Sequence, residues 1–143
     1  MRKVSLLVLL LLLSACSNKP WSVIDGSMSK VTDAKNFDVL VSGVDGKLYF
    51  DNRRTRNVDP GFRLVRLTTT KPDRRGHHTY TSFPIFVKPC IRYYVSAQHE
   101  SNLTTDNNNW DVVVLKEEPI EGCKKILKNN PSSEQDALPS SSS

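Results

Sequence analysis

Histidine and cysteine are scarce in this chain, three of each in 143 residues, and their placement excludes more than their number does. His77 and His78 are adjacent, so on a strand they point to opposite faces and cannot share one metal ion, while His99 stands alone in sequence. No Cys-x-x-Cys pair, glycine-rich phosphate loop, Ser-His-Asp arrangement or paired-carboxylate motif stands out, and the acidic residues are scattered. The expectation is therefore a protein that is not an enzyme, with no metal, no cofactor and no catalytic residue. Long apolar periodicity at 3.6 residues is missing as well, which argues against a helical bundle.

What is present begins at the N-terminus. Met1-Arg2-Lys3 is a cationic start, residues 4–13 are almost unbroken Leu and Val, and Leu13-Ser14-Ala15-Cys16 closes the run with small residues and a thiol. The apolar stretch has the length of a signal-peptide core and falls short of the roughly 20 residues a helix needs to cross hydrocarbon. It reads as a signal that is removed, with the small side chains of Ser14 and Ala15 fitting a peptidase pocket and cleavage falling between Ala15 and Cys16. The segment resembles the lipobox of bacterial lipoproteins, with Leu13 at its first position, Ser14 and Ala15 at the small ones and Cys16 at the modified one. That resemblance implies covalent diacylglyceryl and N-acyl lipid on Cys16, and two or more chains hold a protein in a leaflet durably. In that family an Asp after the cysteine favours the inner membrane. Ser17 stands there instead, which implies a lipid-anchored protein on the periplasmic face of an outer membrane.

Charge and cysteine pairing follow from that reading. Arg2 and Lys3 leave with the signal, so 20 cationic residues become 18 against 15 acids and the formal charge falls from +5 to +3. Nucleic acid is not an expected partner for so weakly basic a protein beyond a secretion barrier. Once Cys16 carries lipid, Cys90 and Cys123 remain, and an oxidising compartment favours a disulfide between them. The competing two-cysteine metal site lacks a nearby histidine in sequence.

The rest of the chain is patterned as strands. Phe37-Asp38-Val39-Leu40-Val41 runs through Gly43-Val44-Asp45-Gly46 into Lys47-Leu48-Tyr49-Phe50, and β-formers flanking Asp-Gly predict a hairpin. Residues 52–57, with Arg53, Arg54 and Arg56, read as a polar basic connection ended by Asp59-Pro60-Gly61. Strands are predicted over 62–70, 79–87, 91–98 and 110–115, with Pro84 marking an edge or a bulge. In the third of these, Arg92, Tyr94, Ser96 and Gln98 alternate with Ile91, Tyr93, Val95 and Ala97. A short helix is placed between Ile120 and Lys128.

The expected fold is all-β, a small antiparallel β-sandwich (Ig-like or transthyretin-like) or an open barrel with one disulfide. The expected organisation is a signal at 1–15, a lipidated tether at 16–22, a β-domain at 23–128 and a disordered Ser-rich tail at 129–143. The expected core is Val39, Val41, Leu48, Val65, Leu67, Phe86, Tyr93, Val95, Trp110, Val112 and Val114. The stretches around Asp45-Gly46, Asp59-Pro60-Gly61, residues 89–98 and Glu118-Pro119-Ile120-Glu121-Gly122-Cys123 resemble small uncharacterised lipoproteins of proteobacteria. The Pro-Gly before a strand is also distantly similar to PEGA-type domains.

Two function classes follow. One is a noncatalytic envelope component that binds a protein or glycan partner through Arg92, Tyr94 and Gln98, a face that three Ser substitutions should remove without changing the fold. The other is a secreted enzyme or an enzyme-inhibitor module such as a lysozyme-inhibitor-like lipoprotein, although an inhibitor of a basic lysozyme calls for an acidic face and this domain is basic. The Arg53, Arg54, Arg56 cluster and Arg74-Arg75-Gly76-His77-His78 read as solvated loops, with anionic glycan or lipid as the alternative.

Overall fold

A computed structural model describes residues 19–105 and 107–129. The expected signal, Cys16, the start of the tether and the tail from 130 onward lie outside the described residues. Two sheets face each other across one apolar core. Nine strands form them: β1 (Ser22–Asp25), β2 (Asn36–Phe37), β3 (Val39–Val44), β4 (Lys47–Leu48), β5 (Thr55–Val58), β6 (Gly61–Thr69), β7 (Tyr80–Val87), β8 (Ile91–His99) and β9 (Trp110–Pro119), followed by helix α1 (Glu121–Asn129). In the first sheet β9 lines one side of β8 over its whole length, while β1 and β2 share the other side and β5 lies outside β1. The second sheet runs β4-β3-β6-β7.

The all-β expectation holds, and so do the hairpin and the helix. Asp45 and Gly46 both take positive φ, 49° and 84°, as the two-residue turn between β3 and β4 requires. Pro84 lies on β7, an edge strand, where a missing N–H costs no ladder bond. One pairing departs from an all-antiparallel sheet: β1 runs parallel to β8. Both β1 and β5 are absent from the strands expected from sequence. The segment Ser22-Val23-Ile24-Asp25 is too short for alternation to show and is buried throughout, so its true boundary falls inside the expected tether. Thr55-Arg56-Asn57-Val58 has one core residue, Val58, and its Arg56 guanidinium covers the Tyr49 ring at 3.6 Å. The last strand also continues four residues beyond the predicted end, to Pro119, and the helix includes Asn129, which the expected tail had claimed.

Ile24, Val39, Val41, Val58, Val65, Leu67, Val87, Tyr93, Val95 and Ala97 form the core, with Trp110 and Val112 packed at its margin. Three expected members are instead exposed: Leu48 at 46%, Phe86 at 39% and Val114 at 37%. The parity of β7 explains Phe86, because Phe83, Ile85 and Val87 turn inward and leave Phe86 facing out opposite Phe62. Leu48 sits on the two-residue edge strand β4, and Val114 is on edge strand β9 beside a register shift, so neither is covered by a second neighbouring strand.

Two features fix how the sheets meet. Gly26, just after β1, is where the first sheet closes on the second: its N–H donates to Arg54 O at 2.8 Å and its carbonyl accepts from Val39 N at 3.0 Å. A Cβ there would lie 2.2 Å from the Val39 carbonyl oxygen, so only glycine permits this approach. At one end of the sandwich the Cys90–Cys123 disulfide ties α1 to the start of β8, and the Cys90 N–H donates to Trp21 O at 3.1 Å. The chain arriving from the N-terminus is therefore clamped beside the crosslink. The expected disulfide is present, and Cys123 is the buried residue of α1.

Candidate functional site

Alternation along β8 places Arg92, Tyr94, Ser96 and Gln98 on the outer face of the first sheet, opposite the core-facing Tyr93, Val95, Ala97 and His99. The three expected contact residues do share a face, and each is braced by a neighbour. Arg92 Nη1 donates to Asp25 Oδ2 at 3.2 Å. The Tyr94 hydroxyl donates to Glu118 Oε2 at 2.9 Å, and the Lys116 ammonium lies 5.8 Å from the Tyr94 ring centroid. Gln98 Nε2 donates to Asp33 Oδ2 at 3.0 Å, and its Oε1 accepts from Asn36 Nδ2 at 2.9 Å. Asn36 also donates to Ser96 Oγ at 2.9 Å, which covers the middle of the strand.

These bonds set the electrostatics of the face. The Tyr94 hydroxyl first, and then Lys116, hold the Glu118 carboxyl below the ordinary carboxylate range. The Lys35 backbone N–H, aided by Gln98, does the same for Asp33. The result is a row of charged and amide groups along the outer face, each hydrogen-bonded to a neighbour on the same domain. The bracing bears on the expectation that Ser at all three positions leaves the fold unchanged. Asp25 has a side chain only 5% exposed, and Arg92→Ser would leave that carboxylate without its cation.

At the opposite end from the disulfide lies a buried polar cluster that sequence reading missed. Lys71 is 2% exposed and its Nζ donates to Ser101 O at 2.6 Å. His99, 1% exposed, bonds through Nε2 to Thr69 Oγ1 at 2.9 Å and is held between the edge-on Phe37 ring and the stacked Trp110 indole. Trp110 Nε1 donates to Thr79 Oγ1 at 2.9 Å, and Thr79 donates to Asn107 O at 2.8 Å. This set pins the loop before β9 onto the ends of β6 and β7. Sequence carries no local signal for it, since Lys71 follows the alternating strand β6 by two residues, as a loop lysine would.

The arginines of the first basic cluster have structural partners. Arg53 and Arg56 pair with Asp51, and Arg54 lies 3.5 Å from Asp38. His77 and His78 lie in an exposed turn organised by Asp73, whose carboxyl accepts from the N–H groups of Arg75 at 2.7 Å and His77 at 2.8 Å and is held low chiefly by the latter. No group of three potential metal ligands converges among the described residues. An open cleft of about 180 Å³ is lined by Trp21, Tyr49, Asp45 and Arg63, among others, below the roughly 300 Å³ at which small-molecule sites begin. Among the described residues no helix is long and apolar enough to cross a membrane.

No protein-family model, no curated protein and no solved structure matches this chain.

Proposed function

We propose that this protein is a lipoprotein of the periplasmic face of the outer membrane, anchored by acyl chains on Cys16, and that it acts as a noncatalytic envelope component holding the outer face of its first sheet toward a protein or glycan partner. The lipobox-like Leu13-Ser14-Ala15-Cys16 supports the address and the anchor. The observation that carries the binding role is the β8 face, where Arg92, Tyr94 and Gln98 stand in line and each is already braced by a charged or amide neighbour. Prior bracing lowers the ordering entropy a partner must overcome, so a few polar contacts suffice for recognition.

Intact mass of the membrane-extracted protein tests the anchor: residues 1–15 should be missing and diacylglyceryl mass present. For the face, Tyr94→Ala combined with Lys116→Ala removes the half-exposed groups while leaving the Arg92–Asp25 and Gln98–Asp33 contacts in place. Cross-linked capture of membrane proteins and co-sedimentation with purified peptidoglycan should both be measured on the acylated chain. Loss of about tenfold in one of them, equivalent to roughly 1.4 kcal/mol, is expected; unchanged capture in both assigns recognition elsewhere.

A further inference from the structure

The two outer faces of the sandwich are chemically unlike. The first sheet presents the ion-paired network just described. On the second, Phe62, Leu64, Pro84 and Phe86 point outward from paired positions of β6 and β7, Phe62 opposite Phe86 and Leu64 opposite Pro84, with Leu48 exposed on β4 of the same sheet. Phe62 is 68% exposed and Leu64 44%, an apolar area with no cover from the described chain. Its position is the informative part. Phe62 and Phe86 are adjacent to Gly61 and Val87, at the end of the sheet where Cys90 N–H meets Trp21 O and the tether arrives.

We infer that this face docks on the bilayer surface itself, Phe62 and Phe86 entering the boundary between headgroups and acyl chains. The inference rests on the anchored reading above. Five residues, Cys16 to Pro20, separate the acylated position from Trp21 and span at most about 17 Å fully extended. The nine residues of β6 extend about 30 Å. A domain on so short a leash keeps its disulfide end at the headgroups, and tilting toward the second sheet brings the exposed phenylalanines into the interface, where apolar side chains gain by leaving water. Arg66, farther along β6 and stacked over Tyr80 at 3.5 Å, then lies toward the end of the contact as an amphipathic border. The same tilt turns the polar β8 face away from the lipid.

The test uses the full acylated protein in vesicles of phosphatidylethanolamine and phosphatidylglycerol whose acyl chains carry bromine. Phe62→Trp introduces a reporting indole at a site too exposed to disturb the core. Val31→Trp, in the exposed loop between β1 and β2 at 98% exposure, is the control. Relative to the unsubstituted protein, the added emission of Phe62→Trp should shift to the blue and lose about half its intensity to the bromolipid, the added emission of Val31→Trp neither. Acylated protein that floats with the vesicles yet shows an unquenched indole at position 62 overturns docking while leaving the anchor intact. Shielding of that indole only when native envelope membranes are supplied also overturns it, assigning the face to a protein. Protein that lacks acyl mass and fails to float overturns both readings.

Discussion

Removing the Cys90–Cys123 bond tests how the domain is held together at its tether end. The bridge closes a segment of 33 residues, for which loop-closure entropy gives about 3.7 kcal/mol of destabilisation of the unfolded chain. Both cysteines are buried, at 1% and 0% exposure, so Cys90→Ala with Cys123→Ala also leaves two small voids, adding roughly 1 kcal/mol. A total of about 4 to 5 kcal/mol should lower the melting temperature by about 20 °C or more in a domain of this size. The loss should be uneven in space. Helix α1 has nine residues and one buried side chain, Cys123, too little to persist as an isolated helix. Urea unfolding followed by circular dichroism reads the magnitude, and hydrogen exchange by segment reads the place: α1 amides should lose protection while β6 and β8 keep theirs. A loss under about 1 kcal/mol with α1 still protected would refute the reasoning, as would two alkylatable thiols in the native protein.

Gly26→Ala should cost about 1 to 3 kcal/mol or prevent folding, because the new Cβ meets the Val39 carbonyl at 2.2 Å; a thermal melt unchanged by the substitution would show that β1 and β3 can part freely. Acidification should destabilise the protein through Asp33 and Glu118. Both carboxyls are held below their ordinary range when folded, so their contribution is complete above about pH 4 to 4.5 and is lost as pH falls through the lower folded values. Gln98→Leu removes one of the groups that hold Asp33 low, and a urea midpoint series from pH 6 to 2 should show a shallower acid limb for that variant.

Periodicity was legible wherever strands are long and covered on one face. Ile91 to Gln98 alternates cleanly because one face of β8 packs on the core, and its bonded partners were the hidden part: nothing near Arg92 in sequence points to Asp25, 67 residues away. Strand β7 was legible as a strand but not in its parity, since Phe83, Pro84, Ile85 and Phe86 leave either face plausible until pairing with β6 decides it. Short segments failed for a different reason. Val23 and Ile24 are buried, and Ile24 joins the core, because β1 is inserted between β5 and β8, a tertiary placement that four residues cannot announce. The apolar outer face of the second sheet was hidden by the undecided parity of β7, which left Phe86 readable as core and Phe62 without a face. Lys71 and His99 were missed because a buried cation or imidazole is decided by what folds over it.

The parallel pairing of β1 with β8 also governs the order in which the molecule can assemble. A chain made from its N-terminus presents Ser22–Asp25 early, yet the strand that receives it arrives only with Ile91–His99. Until then Val23 and Ile24 have no partner on that side, and the first of the described strands is the one that must wait. Hairpins of local reach, β3 with β4 and β6 with β7, can form beforehand and offer a platform. Closure of the sandwich is thus a late, long-range event, and a chain held extended through that interval exposes an unpaired apolar strand to its surroundings.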